Sequence, residues 1–219
     1  MTTTRWTKKF GGDICSRCRK TRNGKDKCCG LLPVGTKSLL FGVHQFFLHW
    51  MFVAAAWIKL YGWTWDVRIW TCFLLHDIGY WGKRDMNGKE GERHVELGAR
   101  VVGWLFDDSR CKDCGIRYHD YCTNRRWHDF SLFHSRHYAQ THEAQPSKLC
   151  VADKFATCMY PSWLYIFLAS LSGEIDEYMS QSRGNSDELE LAKCHTKQSW
   201  FYELQLWASK WTARHKDLY

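Results

Sequence analysis

Residues 72–83 read CFLLHDIGYWGK. Four apolar residues, Cys72, Phe73, Leu74 and Leu75, run directly into His76 and Asp77, and Gly79 follows as a turn signal. An apolar run of this kind belongs in a core, where an imidazole and a carboxylate cost free energy unless something satisfies them. A hydrogen-bond network, a catalytic partnership or a metal ion would each do so. The longer stretch TWDVRIWTCFLLHD reads as a helix, with Asp66 near its N-cap and Gly79 as its stop.

The neighbouring segments give the same helical signal. Residues 37–61 read as one long apolar helix ended by Gly62. In GERHVELGARVVGWLFD, Val95, Ala99, Val102, Leu105 and Phe106 recur at helical spacing. Further helices are expected at about 127–140, 146–160 and 162–171. A last amphipathic helix, from residue 188 to about 210, carries Trp200, Leu204 and Trp207 on one face. No strand pattern, hairpin signal or internal repeat stands out, so the expected fold is all-α. Three segments flank or interrupt it: a basic, cysteine-containing arm over 1–36, a cysteine-rich insertion over 108–126 within a helical domain of 37–180, and a C-terminal linker and helix over 181–219.

A chain of 219 residues suits one domain with a small appendage. With 45% hydrophobic residues and 13 Trp it can build a core without disulfides, and only 3 Pro interrupt it. The net charge of +8, from 31 Lys and Arg against 23 Asp and Glu, favours anionic partners such as nucleotides, phosphate esters, nucleic acid or a membrane surface. The N-terminus MTTTRWTKKFGGD has no apolar secretory core, so a cytoplasmic location is expected. There, cysteines bind metal or stay as thiols more often than they form disulfides. Cys72, Cys150 and Cys158 lie in apolar surroundings and are expected in the core. Residues 39–63 are long enough to span a bilayer, but His44, Gln45, His49 and Lys59 argue for a buried helix and no membrane.

Partners for the His-Asp pair recur along the chain. His44 lies upstream in the apolar helix, His94 near the start of the third helix, and His134 and His137 three residues apart on one expected helical face. Asp153 interrupts the apolar KLCVADKFAT. Helical bundles build metal sites from side chains that point inward off facing helices. Imidazole and carboxylate without thiolate suit a divalent transition metal: Mn, Fe, Co, Ni or Zn. His49 lies five residues from His44, about 140° around a continuous helix, and is expected to be structural.

The order His, His-Asp, Asp on successive helices resembles the HD superfamily of metal-dependent phosphohydrolases. The similarity extends through LLFGVHQFFLHW, LLHDIGYWGK, GERHVELGARVVGWLF, LFHSRHYAQ and SKLCVADKFA, covering about residues 36–179, which together resemble an HD-domain group found in bacteria and phages. The resemblance implies an HD-type helical bundle in which His44, His76, Asp77 and Asp153 hold one metal. It also implies that His94 and His134 serve a second. The cysteine-rich insertion and the arm depart from the simplest HD pattern.

The implied activity is hydrolysis of a nucleotide or small phosphate ester through a metal-activated water. Asp77 is expected both to ligate and to take the water's proton. Arg136 and Lys154, beside His134 and Asp153, are expected to neutralise phosphate charge. Two other readings remain: an HD-type di-iron oxygenase on the same ligands, and a zinc-containing nucleic-acid-binding protein using the arm RCRKTRNGKDKCCG. The arm offers Cys15, Cys18, Cys28 and Cys29, and the insertion offers Cys111, Cys114, His119 and Cys122. A structural zinc is expected on one of these sets or shared between them.

Overall fold

The computed structural model describes the backbone of residues 6–9 and 12–15, and residues 32–86, 88–107, 125–182 and 189–217. Two compact units divide at Pro33 and Val34. In the first, β1 (Trp6–Lys9) and β2 (Gly12–Cys15) form an antiparallel pair in which Trp6 lies opposite Cys15 and Lys9 opposite Gly12. No hairpin is expected from the side-chain pattern of so short a stretch. The zinc-ligand expectations for Cys15, Cys18, Cys28, Cys29, Cys111, Cys114, His119 and Cys122 concern side chains outside the described residues.

In the second unit all regular structure among the described residues is helical. Its helices are α1 (Val34–Phe41), α2 (His49–Tyr61), α3 (Val67–Leu75), α4 (Val95–Phe106), α5 (Arg126–Leu132) and α6 (Arg136–Thr141). They are followed by α7 (Lys148–Met159), α8 (Ser162–Ser172), α9 (Glu174–Ser182), α10 (Leu189–Ala192) and α11 (Lys197–His215). Short side chains set several starts. Asp66 accepts the Arg68 amide at α3, Ser147 the Cys150 amide at α7, and Thr196 with Ser199 forms a capping box at α11. None of the described helices is long and apolar enough to cross a membrane.

Two expected helices are each broken in two. Residues 37–61 do not form one helix: α1 stops at Phe41 and α2 begins at His49. The cause is remote in sequence. Glu174, fully buried at the start of α9, accepts the Val43 amide at 2.7 Å and so satisfies backbone that leaves the helix. Gly42 permits this approach, since a Cβ there would lie 2.7 Å from Glu174 Oε1. The second break separates α5 from α6 at Phe133, His134 and Ser135, and Ser135 caps the new start by accepting the Tyr138 amide. His134 and His137 therefore do not share a helical face, and His137 is exposed.

The core has two main parts. One joins α2, α3, α4, α5 and α7 through Val53, Trp57, Phe73, Val102, Trp127 and Leu149. The other joins α8, α9 and α11 through Tyr165, Leu168, Ile175, Trp200 and Phe201. Cys72 is fully buried in the first part and Cys150 in a smaller cluster with Val151 and Trp211, while Cys158 is only partly buried and donates its thiol to the Gln205 carbonyl.

Candidate metal centre

The His-Asp pair sits where α3 ends. His76 is the C-terminal cap residue of that helix, and Asp77 leads into a single 3-10 turn, Ile78–Tyr80. Gly79 lies directly on the backbone of His94, where a Cβ would fall 1.8 Å from the carbonyl oxygen. That contact draws in the 3-10 turn Gly91–His94. His134 enters from the break between α5 and α6, Asp153 from the middle of α7, and His49 from the first turn of α2.

Asp77 is the common element. Its Oδ2 lies 3.1 Å from His76 Nε2 and 3.2 Å from His49 Nε2. Its Oδ1 lies 3.5 Å from the Nε2 atoms of both His94 and His134. Asp153 Oδ1 completes the first side, 3.1 Å from His49 Nε2 and 3.8 Å from His76 Nε2. Two groups that can hold a metal ion result: His49, His76, Asp77 and Asp153, and Asp77, His94 and His134. All of these residues are buried except Asp153, which is partly so.

The imidazoles are oriented from behind. His76, His94 and His134 each donate Nδ1–H to the carbonyl three residues upstream, of Phe73, Gly91 and Ser131 respectively. His49 Nδ1 lies 3.4 Å from the Tyr160 hydroxyl, which donates to the Val43 carbonyl. With Nδ1 engaged, each ring turns Nε2 toward Asp77, the arrangement that fixes tautomer and direction in histidine metal ligands. Tyr80 stacks on His94 with ring centroids 4.0 Å apart, which holds that ring in plane.

A cation fits this donor set. His76 Nε2 and Asp77 Oδ2 are buried and close, yet neither has a hydrogen-bond partner of acceptable direction. His94 Nε2 and His134 Nε2 face each other at 3.2 Å, each with its Nδ1 engaged elsewhere. Such atoms converge on shared points rather than on one another, and a cation there would satisfy all of them.

Electrostatics within the cluster are strongly coupled. Burial opposes charge on His76, but the Asp77 and Asp153 carboxylates outweigh it and push its pKa up to about 10. His49 is raised against burial by the same two groups. Burial pushes His94 down to about 3. Burial would raise Asp77 and Asp153, yet neighbouring cations and hydrogen bonds hold both well below the usual carboxylate range: chiefly His76 for Asp77, and Lys154 for Asp153.

The structure brings together His76, Asp77, His94, His134 and Asp153, all candidate ligands in the sequence. It does not bring in His44. That ring sits beside His49, centroids 5.1 Å apart, with Nδ1 directed at Glu174 and Ser38. The helix break puts His49 in the place expected for His44, and Gly42 is the one local hint of that break. Arg136 also departs from expectation: its guanidinium lies over the Trp207 ring at 4.9 Å and near Trp211, on α11, and is not offered to the cluster. Lys154 does stand at the cluster, Nζ 2.9 Å from Asp153 Oδ2. A narrow cleft reaches the group from outside, walled by Leu39, Phe46, Trp50, Phe73, Leu74 and Ile78 with His44 and Gln45.

No protein-family model, curated protein or solved structure matches this chain.

Proposed function

We propose that the chain is an HD-type metal-dependent phosphohydrolase acting on a nucleotide or small phosphate ester. The observation that carries the reading is the split role of Asp77, whose two oxygens each face a different histidine pair. His49, His76, Asp77 and Asp153 would hold one divalent ion, and His94 and His134 would hold a second through the other oxygen of Asp77. Ions held there would supply Lewis acidity toward a phosphoryl oxygen and water activated near neutral pH. The chain's own contribution is orientation: the carbonyls of Phe73, Gly91 and Ser131 and the Tyr160 hydroxyl fix the ligand rings. Lys154, next to Asp153 and partly exposed, supplies positive charge at the edge of the group. Purified protein should hold about two divalent ions per chain and release phosphate from nucleoside monophosphates or simple aryl phosphates. Metal-loaded protein that releases no phosphate from any such ester sinks the proposal.

One observation favours the di-iron oxygenase reading on the same ligands. Among the described residues the cleft lining carries no Arg or Lys, and apart from its histidines, Gln45 and Asp77 it is apolar. An uncharged substrate would suit such walls. Dioxygen uptake by the iron-loaded protein, with no phosphate release, would decide for it. The nucleic-acid-binding reading rests on the basic arm, most of which lies outside the described residues.

A further inference from the structure

We infer that His44 is a substrate-contacting residue of this centre and that the buried carboxylate of Glu174 positions it; the inference rests on the phosphohydrolase reading. His44 lines the cleft beside His49 and Asp77. Its side chain is 17% exposed, while the four imidazoles of the cluster are 10% exposed or less. It is therefore the imidazole that a molecule entering the cleft meets first. Its Nδ1 lies 3.0 Å from Glu174 Oε2, and among the described residues its Nε2 has no hydrogen-bond partner. Glu174 is itself held firmly. Oε2 accepts the Ser38 hydroxyl at 2.7 Å, and Oε1 accepts the Val43 amide at 2.7 Å and the Ser172 hydroxyl at 2.8 Å. Gly173, in the left-handed conformation at φ 85°, turns the chain from α8 so that Glu174 enters the core at this point.

A buried carboxylate with four donors costs desolvation that a hydrophobic residue would avoid. Here it fixes one ring nitrogen of His44 and leaves the other edge free. A phosphate group carries both acceptor oxygens and a P–OH donor, so Nε2 can hydrogen-bond it in either protonation state of the ring.

The test measures binding of inorganic phosphate to the full chain loaded with Mn, with metal content determined in parallel. His44→Phe keeps the ring volume and removes the nitrogens. It should weaken phosphate binding about tenfold, the size of one hydrogen bond, with ion stoichiometry unchanged. Glu174→Ala should weaken it similarly, and Glu174→Gln, which keeps an oxygen for Nδ1, should recover most of the loss. If Glu174→Ala fails to fold, Glu174→Leu, which keeps the volume and removes the acceptor oxygens, takes its place. Unchanged phosphate affinity in His44→Phe, or loss of an ion from it, overturns the inference alone. Normal phosphate affinity in the folded variant that removes the Glu174 acceptor oxygens, with His44→Phe impaired, overturns the positioning role. Failure of the unsubstituted, metal-loaded protein to bind phosphate overturns the phosphohydrolase reading and this inference with it.

Discussion

Asp77 and Asp153 are both buried carboxylates beside histidine, but their positions predict different losses. Asp77 has one oxygen toward each histidine pair, whereas Asp153 faces only His49 and His76. Asp77→Ala should therefore empty both ion positions, while Asp153→Ala should leave ion binding at the His94 and His134 side. Elemental analysis of the two variants, with helicity checked by circular dichroism, separates these outcomes; equal losses would mean that Asp77 does not bridge. A second prediction concerns the groups behind the ligands. Tyr160 contributes only a hydroxyl to His49, at 3.4 Å from Nδ1. Tyr160→Phe keeps the ring packed against Phe52 and Tyr165. Partners of this kind are typically worth 10–100-fold in metal affinity. The loss expected here is about tenfold, at the low end because the contact is long. A metal titration that gives the same affinity for both proteins would remove Tyr160 from the site.

At the scale of elements, what the sequence conceals is the interruption of helices. Periodicity reports which faces are apolar, and it locates α3, α4, α7 and α8 well because those helices run unbroken between caps. It fails where a distant side chain ends a helix. Nothing in LLFGVHQFFLHW announces that Glu174, about 130 residues away, will take the Val43 amide. The consequence is a single exchange, His49 for His44; His76, Asp77 and Asp153 stand out as polar residues in an apolar context, whereas His94 and His134 are singled out through the resemblance. Arg136 is misread for a related reason: aromatic rings on α11, a helix far along the chain, capture its guanidinium. The turn that joins the two halves of the site depends on Gly79. Its missing side chain lets the 3-10 turn after Asp77 lie on the His94 carbonyl, where a Cβ would stand at 1.8 Å. Because backbone must give way, Gly79→Ala should cost about 3 kcal/mol, the upper part of the range for overpacking. It should also lower ion occupancy at His94 more than at His49. Denaturant unfolding together with ion stoichiometry tests both statements, and a variant as stable as the parent would show that this contact is not required.

For the molecule as a whole, α9 and α11 tie the helices that carry the His/Asp cluster to the C-terminal third of the unit. Phe201 on α11 is fully buried and stacks on Tyr165 at 4.1 Å. Glu174 links that same region back to Ser38, Val43 and His44 at the cleft. Its ionisation should therefore register in global stability. Burial would raise its pKa, but the hydrogen bonds from His44, the Val43 amide and Ser38 outweigh burial and hold it below the ordinary glutamate value. A carboxyl with a lower pKa folded than unfolded binds fewer protons in the folded state, so stability rises with pH across its titration range. Its contribution is fully present above the unfolded pKa of about 4.3 and is lost as the pH falls toward the folded value. Glu174→Gln removes this titration while keeping the volume and one acceptor. The stability difference between parent and Glu174→Gln should accordingly be largest near pH 7 and shrink as the pH is lowered below about 4.3. Urea unfolding of both proteins between neutral and acid pH, in chelator so that ion binding does not contribute, provides the measurement. A difference that stays constant across that range would mean that Glu174 titrates alike in the folded and unfolded chain, and that its four donors do not stabilise its charge.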